Sequence, residues 1–252
     1  VNGPFTFAPD GNPLVGPVPG VQNYWSCCAV MAGFSQAGGV GLSLAEWMVH
    51  GEPSRDVFAM DVARYGNYCT KAYTRNKVRE NYQKRFSISY PNEELPVGRP
   101  LNTTPAYSIW QQQRAVFGQG YGMEHVNYFA PEGEPLFETP TFRRSNAFTA
   151  IGNECRAVRT SVGINEVHNF GKYRVTGKGA RAWLDQVMAG KLPALGRITL
   201  SPMLSPLGKL MGDFTISHIA QHDYQLTASF GAQDLHMRWF GQYLPATDVT
   251  IE

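Results

Sequence analysis

The chain has 252 residues, 43% of them apolar and 17% charged, with a formal net charge of +2. This is globular composition with room for one large domain or two ordinary ones, and it excludes a disordered segment. So small a charge, with no basic stripe interleaved with aromatics, argues against a nucleic-acid partner. No apolar run approaches the roughly 20 residues of a membrane span.

Phe5-Thr6-Phe7 at the start and Asp248 to Glu252 at the end both read as strands cut from a longer folded polypeptide. No charged region followed by an apolar one opens the chain, so no secretion signal is expected. The cysteines (Cys27, Cys28, Cys69, Cys155) form no CxxC pair and the histidines no HxH or HExxH spacing. Free buried thiols and no zinc site are the expectation.

Residues 5–26 read as short strands around the turn Asp10-Gly11-Asn12-Pro13, and 21–30 as a buried strand. A glycine-dense stretch (Gly33, Gly38, Gly39, Gly41) then opens into an apolar helix over 40–49, with Gly51 at its C-terminal end and Pro53 beyond. A helix starting from such a turn would present free N–H groups and the positive end of its dipole, a ready anion or cofactor site. Residues 71–86 predict a polar helix whose mixed charges form a solvated face. Residues 91–96 and 99–101 read as loop, 107–117 as helix, 118–131 as an aromatic loop and 148–162 as helix.

Further on, 172–175 predict a strand and 179–189 a helix with Ala182, Leu184, Val187 and Met188 at helical spacing. The clearest element is a hairpin of 197–204 and 210–219 around Ser205-Pro206-Leu207-Gly208, a type I or II turn with Pro at its first corner. Alternation places Leu210, Gly212, Phe214 and Ile216 on one side of the returning strand, with Met211, Asp213, Thr215 and Ser217 on the other. Asp213 is then an acid just past a turn. Residues 235–244 predict a last helix with Met237, Phe240 and Leu244 on its apolar side.

The glycine stretch, the hairpin acid and their order resemble the flavin-dependent dimethylglycine and sarcosine dehydrogenases and oxidases. These join an amine-oxidising flavoprotein part to a folate-binding part similar to the aminomethyltransferase (T-protein) of glycine cleavage. The segment FTFAPDGNPLVGPVPGVQNYWSCCAVMAGFSQAGGVGLSLAEWMVHG looks like the close of the flavoprotein domain. DVARYG, PNEELP and RPLNTTP resemble the connecting domain, and FRRSNAF, FGKYRVTG and SPMLSPLGKLMGDFTI the start of the T-protein-like domain.

The resemblance implies an α+β chain in three parts: 1–62 from the FAD-dependent oxidoreductase domain, 63–120 connecting, and 121–252 T-protein-like. It implies contact with FAD from Ala37, Gly38, Gly39 and Val40, and packing beside it from Pro13 and Leu14. Asp213 matches the acid of the T-protein hairpin, where a carboxylate near the folate nitrogens can hold a cationic amine or move a proton. Leu200, Thr227 and Ser229 fall in the tetrahydrofolate region, Leu200 where many relatives carry Tyr and Ser229 where several carry Asn. Glu166 replaces a common Asp.

The implied function is oxidative demethylation of dimethylglycine or sarcosine, passing the one-carbon unit to tetrahydrofolate. An electron-transfer protein is an implied partner. The setting would be cytoplasmic in a bacterium or the mitochondrial matrix in a eukaryote. No GxGxxG occurs, so the dinucleotide fingerprint is missing from this stretch. A folate-dependent aminomethyltransferase, or a piece inactive alone, is the alternative.

Overall fold

The computed structural model describes residues 3–252. In chain order, strands β1 (Leu14–Pro17) and β2 (Trp25–Cys28) pair, followed by α1 (Phe34–His50), a 3-10 turn at Val62–Arg64 and α2 (Lys71–Lys84). Next come α3 (Tyr107–Gln112), the hairpin β3 (Ala115–Gly120) with β4 (Met123–Phe129), and α4 (Ala147–Thr160). The remainder holds β5 (Phe170–Thr176), α5 (Ala180–Val187), β6 (Ile198–Leu204), β7 (Leu210–Ala220), β8 (Asp223–Ser229), α6 (Gln233–Tyr243) and β9 (Thr250–Ile251). Helices mixed with antiparallel strands make this the expected α+β class. The chain divides into two compact units. One takes residues up to Leu14, Cys27–Leu42 and Asn67–His168; the other takes Val15–Ser26, Ser43–Gly66 and Asn169–Glu252.

In the first of these units, Thr70 caps α2 by accepting from the Tyr73 N–H at 3.2 Å. The charges of this helix do not all lie on the solvated face expected from its polarity. Lys77 and Glu80 are buried and paired at 2.8 Å. Lys77 Nζ also donates to Leu95 O (2.7 Å), and Glu80 Oε1 accepts from Val97 N–H (3.0 Å). The pair therefore has a local purpose: it satisfies the backbone of the loop that follows.

The expected helix over 107–117 stops at Gln112, and the expected loop over 118–131 is the β3–β4 hairpin. Arg114 takes φ 65° to end the helix, and its Nε and Nη2 donate to Ala130 O (3.2 Å) and Glu134 O (2.5 Å). Tyr121 (φ 47°) and Gly122 (φ 83°) form a two-residue turn with both φ positive, the geometry that matches hairpin twist. Gly122 is required twice over, because a Cβ there would lie 2.5 Å from the Tyr68 ring.

The second unit is built on one antiparallel sheet in the order β6-β7-β8-β5-β9. The β6–β7 hairpin forms as expected. Gly208 N–H bonds Ser205 O at 2.8 Å, and Ser205 N–H bonds Lys209 O at 2.8 Å, closing a turn with a bulge at its base. One sheet face is covered by α5 and α6. There Val175, Phe214, Ile216, Tyr224 and Leu226 pack with Trp183, Leu184 and Phe240. Two details of the expected helix faces change: Ala182 and Met237 are outside the core, and Trp183, His236 and Trp239 are in it.

The N-terminal expectations need larger corrections. Residues 5–7 form no strand, and the strand expected over 21–30 is confined to Trp25–Cys28. Its Cys27 and Cys28 are exposed, as is Cys155, and Cys69 is half-buried, so the cysteines form no disulfide but are not the buried thiols expected. No helix among the described residues is long and apolar enough to cross a membrane.

Candidate functional site

Strand alternation on β7 buries Phe214 and Ile216 against the helices and turns Asp213 and Thr215 to the opposite face. The register then sets their neighbours. Leu200 lies opposite Thr215, Thr215 opposite Thr227, and Thr227 opposite Lys172, one row across four strands. Asp213 stands two residues along β7 from Thr215, opposite Pro202. Ser229 stands two residues along β8 from Thr227, opposite Phe170. The four residues expected at a folate site (Leu200, Asp213, Thr227, Ser229) thus share one sheet face. It is an open one: Leu200 is 68% exposed and Asp213 is also exposed.

The backbone under Asp213 is held from the covered side. His236 of α6 is 1% exposed, its Nδ1 is 2.9 Å from the Tyr173 hydroxyl, and it hydrogen-bonds the backbone of Met211. A Cβ on Gly212 would lie 2.6 Å from His236 Nε2, so only glycine lets the imidazole approach the strand this closely. A donor at Nε2 to the Met211 carbonyl leaves Nδ1 to accept from the Tyr173 O–H. Helix α6 is in this way tied to the two residues preceding Asp213. Residue-level reading of the hairpin did not find His236 or Tyr173. The one local signal was a glycine inside a strand next to an acid.

Burial pushes the His236 imidazole down to about 4, against the smaller opposing effects of the Met211 hydrogen bond and the Asp213 charge. The folded-state value lies below the unfolded value of about 6.5. The unfolded chain therefore binds the extra proton first as pH falls, and stability present above about pH 6.5 is lost on the way down to pH 4. His236→Gln should remove up to about 3 kcal/mol of this dependence. Urea denaturation at pH 7 and pH 5 measures it, and an equal pH slope in the two proteins would refute the assignment.

The flavin-side residues are arranged differently from expectation. Helix α1 begins at Phe34, so Ala37, Gly38, Gly39 and Val40 lie within it and not at its start. Ala37 N–H already bonds Gly33 O at 2.9 Å. The N–H groups expected to meet an anion are consumed by the helix itself, because only the first turn of a helix has unpartnered donors. What remains is a smooth exposed surface: added Cβ atoms on Gly38, Gly39 or Gly41 would meet nothing within 4 Å. Val40 points inward at 4% exposure, Pro13 is buried, and Leu14 begins β1. All six flavin-side residues fall in the first unit and the four folate-side residues in the second.

Among the described residues no group of three His, Cys, Asp or Glu side chains could hold a metal ion. Glu166 is also structural in its contacts: its Oε2 accepts from Thr104 Oγ1 (3.0 Å) and Trp110 Nε1 (2.9 Å).

Residues 106–252 match the family model of the GCVT N-terminal domain, and residues 50–104 match that of the FAD dependent oxidoreductase central domain. Mitochondrial dimethylglycine dehydrogenase of Rattus norvegicus is 35% identical over 239 residues, 95% of this chain and 28% of the relative. The mitochondrial pyruvate dehydrogenase phosphatase regulatory subunit of Mus musculus is 29% identical over 253 residues, covering 97% of this chain and 29% of the relative. Mitochondrial sarcosine dehydrogenase of Homo sapiens is 28% identical over 250 residues, covering 87% and 27%. The chain thus spans under a third of the length of these relatives. The GCVT N-terminal domain model matches more than half of the chain, in the part that carries the β6–β7 hairpin and Asp213, and the chain belongs to that family.

Proposed function

We propose that this chain is the middle portion of a flavoprotein that oxidatively demethylates dimethylglycine or sarcosine and delivers the one-carbon unit to tetrahydrofolate. In that polypeptide residues 1–62 close the oxidoreductase part, 63–120 connect, and 121–252 begin the folate part. The observation that carries the reading is the exposed Asp213 carboxylate on a rigid strand, within a chain whose relatives include both dehydrogenases.

The donor set on the sheet face fits a folate. Leu200 offers an apolar surface, Thr227 and Ser229 offer hydroxyls, and Asp213 offers the acid. On the flavin side, the bare surface of Gly38 and Gly39 fits close approach of a flat ring. It does not supply hydrogen-bond donors, so the dinucleotide's charge must be met elsewhere. Bound flavin supplies the two-electron oxidation and bound tetrahydrofolate the acceptor for the one-carbon unit.

The part played by this chain's own residues is electrostatic and positional. Asp213, exposed on the sheet face, holds a cationic amine or takes a proton at its carboxylate oxygens. The strand beneath it resists displacement because His236 clamps Met211 and Gly212 from the other face. Thr227 and Ser229 orient polar edges of the ligand. An electron-transfer protein would receive the electrons. A mitochondrial matrix setting follows if the source is eukaryotic, a cytoplasmic one if bacterial.

Asp213→Asn in the full-length polypeptide tests the assignment. Flavin bleaching by dimethylglycine or sarcosine should stay within about threefold, while methylenetetrahydrofolate formation falls by about 10²-fold or more. Equal loss of both activities, or undiminished transfer, overturns the role. A folate-dependent aminomethyltransferase is the second reading, supported by the extent of the GCVT match. It requires a colourless full-length protein that reacts with folate alone.

A further inference from the structure

Within the second unit, a cavity of about 570 Å³ lies among Trp47, Glu52, Val57, Phe58, Met211, Leu235 and Trp239, with Asp61, Lys209 and Arg238 also on its wall. Its volume is that of a small-molecule site. Most of its charged side chains are already hydrogen-bonded or exposed to water. Asp61 and Arg238 form a two-pronged pair at 2.8 and 2.6 Å, and Arg238 also donates to Pro17 O at 3.0 Å. Lys209 Nζ donates to Pro53 O at 2.6 Å. Asp56 Oδ1 accepts from Phe58 N–H at 2.9 Å, and Arg55 and Asp56 are exposed.

Glu52 is the exception. It directly follows Gly51, which ends α1 with φ 82°, and its residue is only 8% exposed. Its Oε1 is sealed from solvent and has no hydrogen-bond partner among the described residues. A carboxylate oxygen withdrawn from water without a donor costs free energy that a folded protein normally recovers through a partner. The same wall carries the rings of Phe58 and Trp239, which attract cations through their faces, and of Trp47, whose ring already has the Arg238 guanidinium over it at 5.2 Å. A desolvated carboxylate oxygen, an aromatic wall and a largely apolar volume together select an organic ammonium over a metal ion, which would want more oxygen ligands, and over a neutral molecule.

We propose that this cavity binds a small organic ammonium ion, its N–H donating to Glu52 and its alkyl part lying against Trp47, Phe58 and Trp239. Asp213 is not on the cavity wall, and the proposal stands or falls independently of the demethylase reading.

Titration of this chain with n-butylammonium chloride at constant ionic strength, read by tryptophan fluorescence to which Trp47 and Trp239 contribute, tests the proposal, with n-butanol as the neutral counterpart. The expected result is a saturable change with n-butylammonium bound at least tenfold more tightly than n-butanol. Glu52→Gln should bring the two ligands to the same affinity while its thermal midpoint stays level or rises. Glu52→Asp, which retracts the carboxylate by one methylene, should weaken n-butylammonium at least threefold and leave n-butanol unchanged. Equal binding of the two ligands by the unaltered chain overturns the proposal whether or not either variant folds. Full ammonium affinity in a folded Glu52→Gln does the same.

Discussion

Asp61→Ala should lower the stability of the chain by about 3–5 kcal/mol, the range for removing one partner of a buried ion pair. Asp61 is 2% exposed, and both of its oxygens are in use. Oδ1 accepts from Ala63 N–H at 2.8 Å, closing the 3-10 turn, and from Arg238 Nη1 at 2.8 Å. Oδ2 accepts from Arg238 Nη2 at 2.6 Å. The guanidinium also lies over the Trp47 ring, 5.2 Å from its centre, and only 12% of its side chain is exposed. Deleting the carboxylate strands that cation. Replacing both residues, as in Asp61→Ala with Arg238→Met, should recover more than half of the loss, because no buried charge is then left alone. Denaturant unfolding of the three proteins measures this. A single-variant loss below about 1 kcal/mol would mean that water reaches the pair and screens it.

Phe240→Ala should cost a similar amount, about 3–5 kcal/mol. Phe240 is fully buried where α6 meets the sheet, with its ring centre 5.7 Å from Tyr173 and 5.6 Å from both Trp183 and Phe214. Truncation opens a void between three rings held by different elements, so the walls cannot collapse inward together. Phe240→Leu keeps most of the volume and should cost less than about 1.5 kcal/mol. Because α6 also carries His236, the alanine variant should lose the Asp213 strand clamp along with stability. A folded Phe240→Ala protein of near-normal midpoint would show that the sheet does not depend on this helix.

What was legible in the residues differs by element. The β6–β7 hairpin could be read directly: Pro206 at a corner, Gly208 beyond it and strict alternation through Phe214 and Ile216 all report local geometry. The β3–β4 hairpin was not legible. Its turn is Tyr121-Gly122, and tyrosine carries no local preference for positive φ; the fit comes from Tyr68 packing over Gly122. Helix α1 was placed too late because Gly38, Gly39 and Gly41 each weaken a helix by roughly 1 kcal/mol relative to alanine. Residues on both sides carry the helix through them, from Phe34 to His50. The burial of Lys77 and Glu80 also escaped a reading of charge pattern, since their partners Leu95 and Val97 belong to a loop.

By itself, the sequence determined the hairpin and which face of it carries Asp213, because a two-residue period and a turn residue act within a few positions of the chain. Its family resemblance implied the α+β class, which the structure shows. Tertiary structure alone decided that Leu200, Thr227 and Ser229 join Asp213 on one open sheet face, since register between strands assigns neighbours that spacing along the chain does not contain. It also decided that His236 reaches Gly212 and that Glu52 lies buried without a partner. Both depend on segments far apart in sequence closing around one point, where packing and desolvation, rather than local propensity, set the energy.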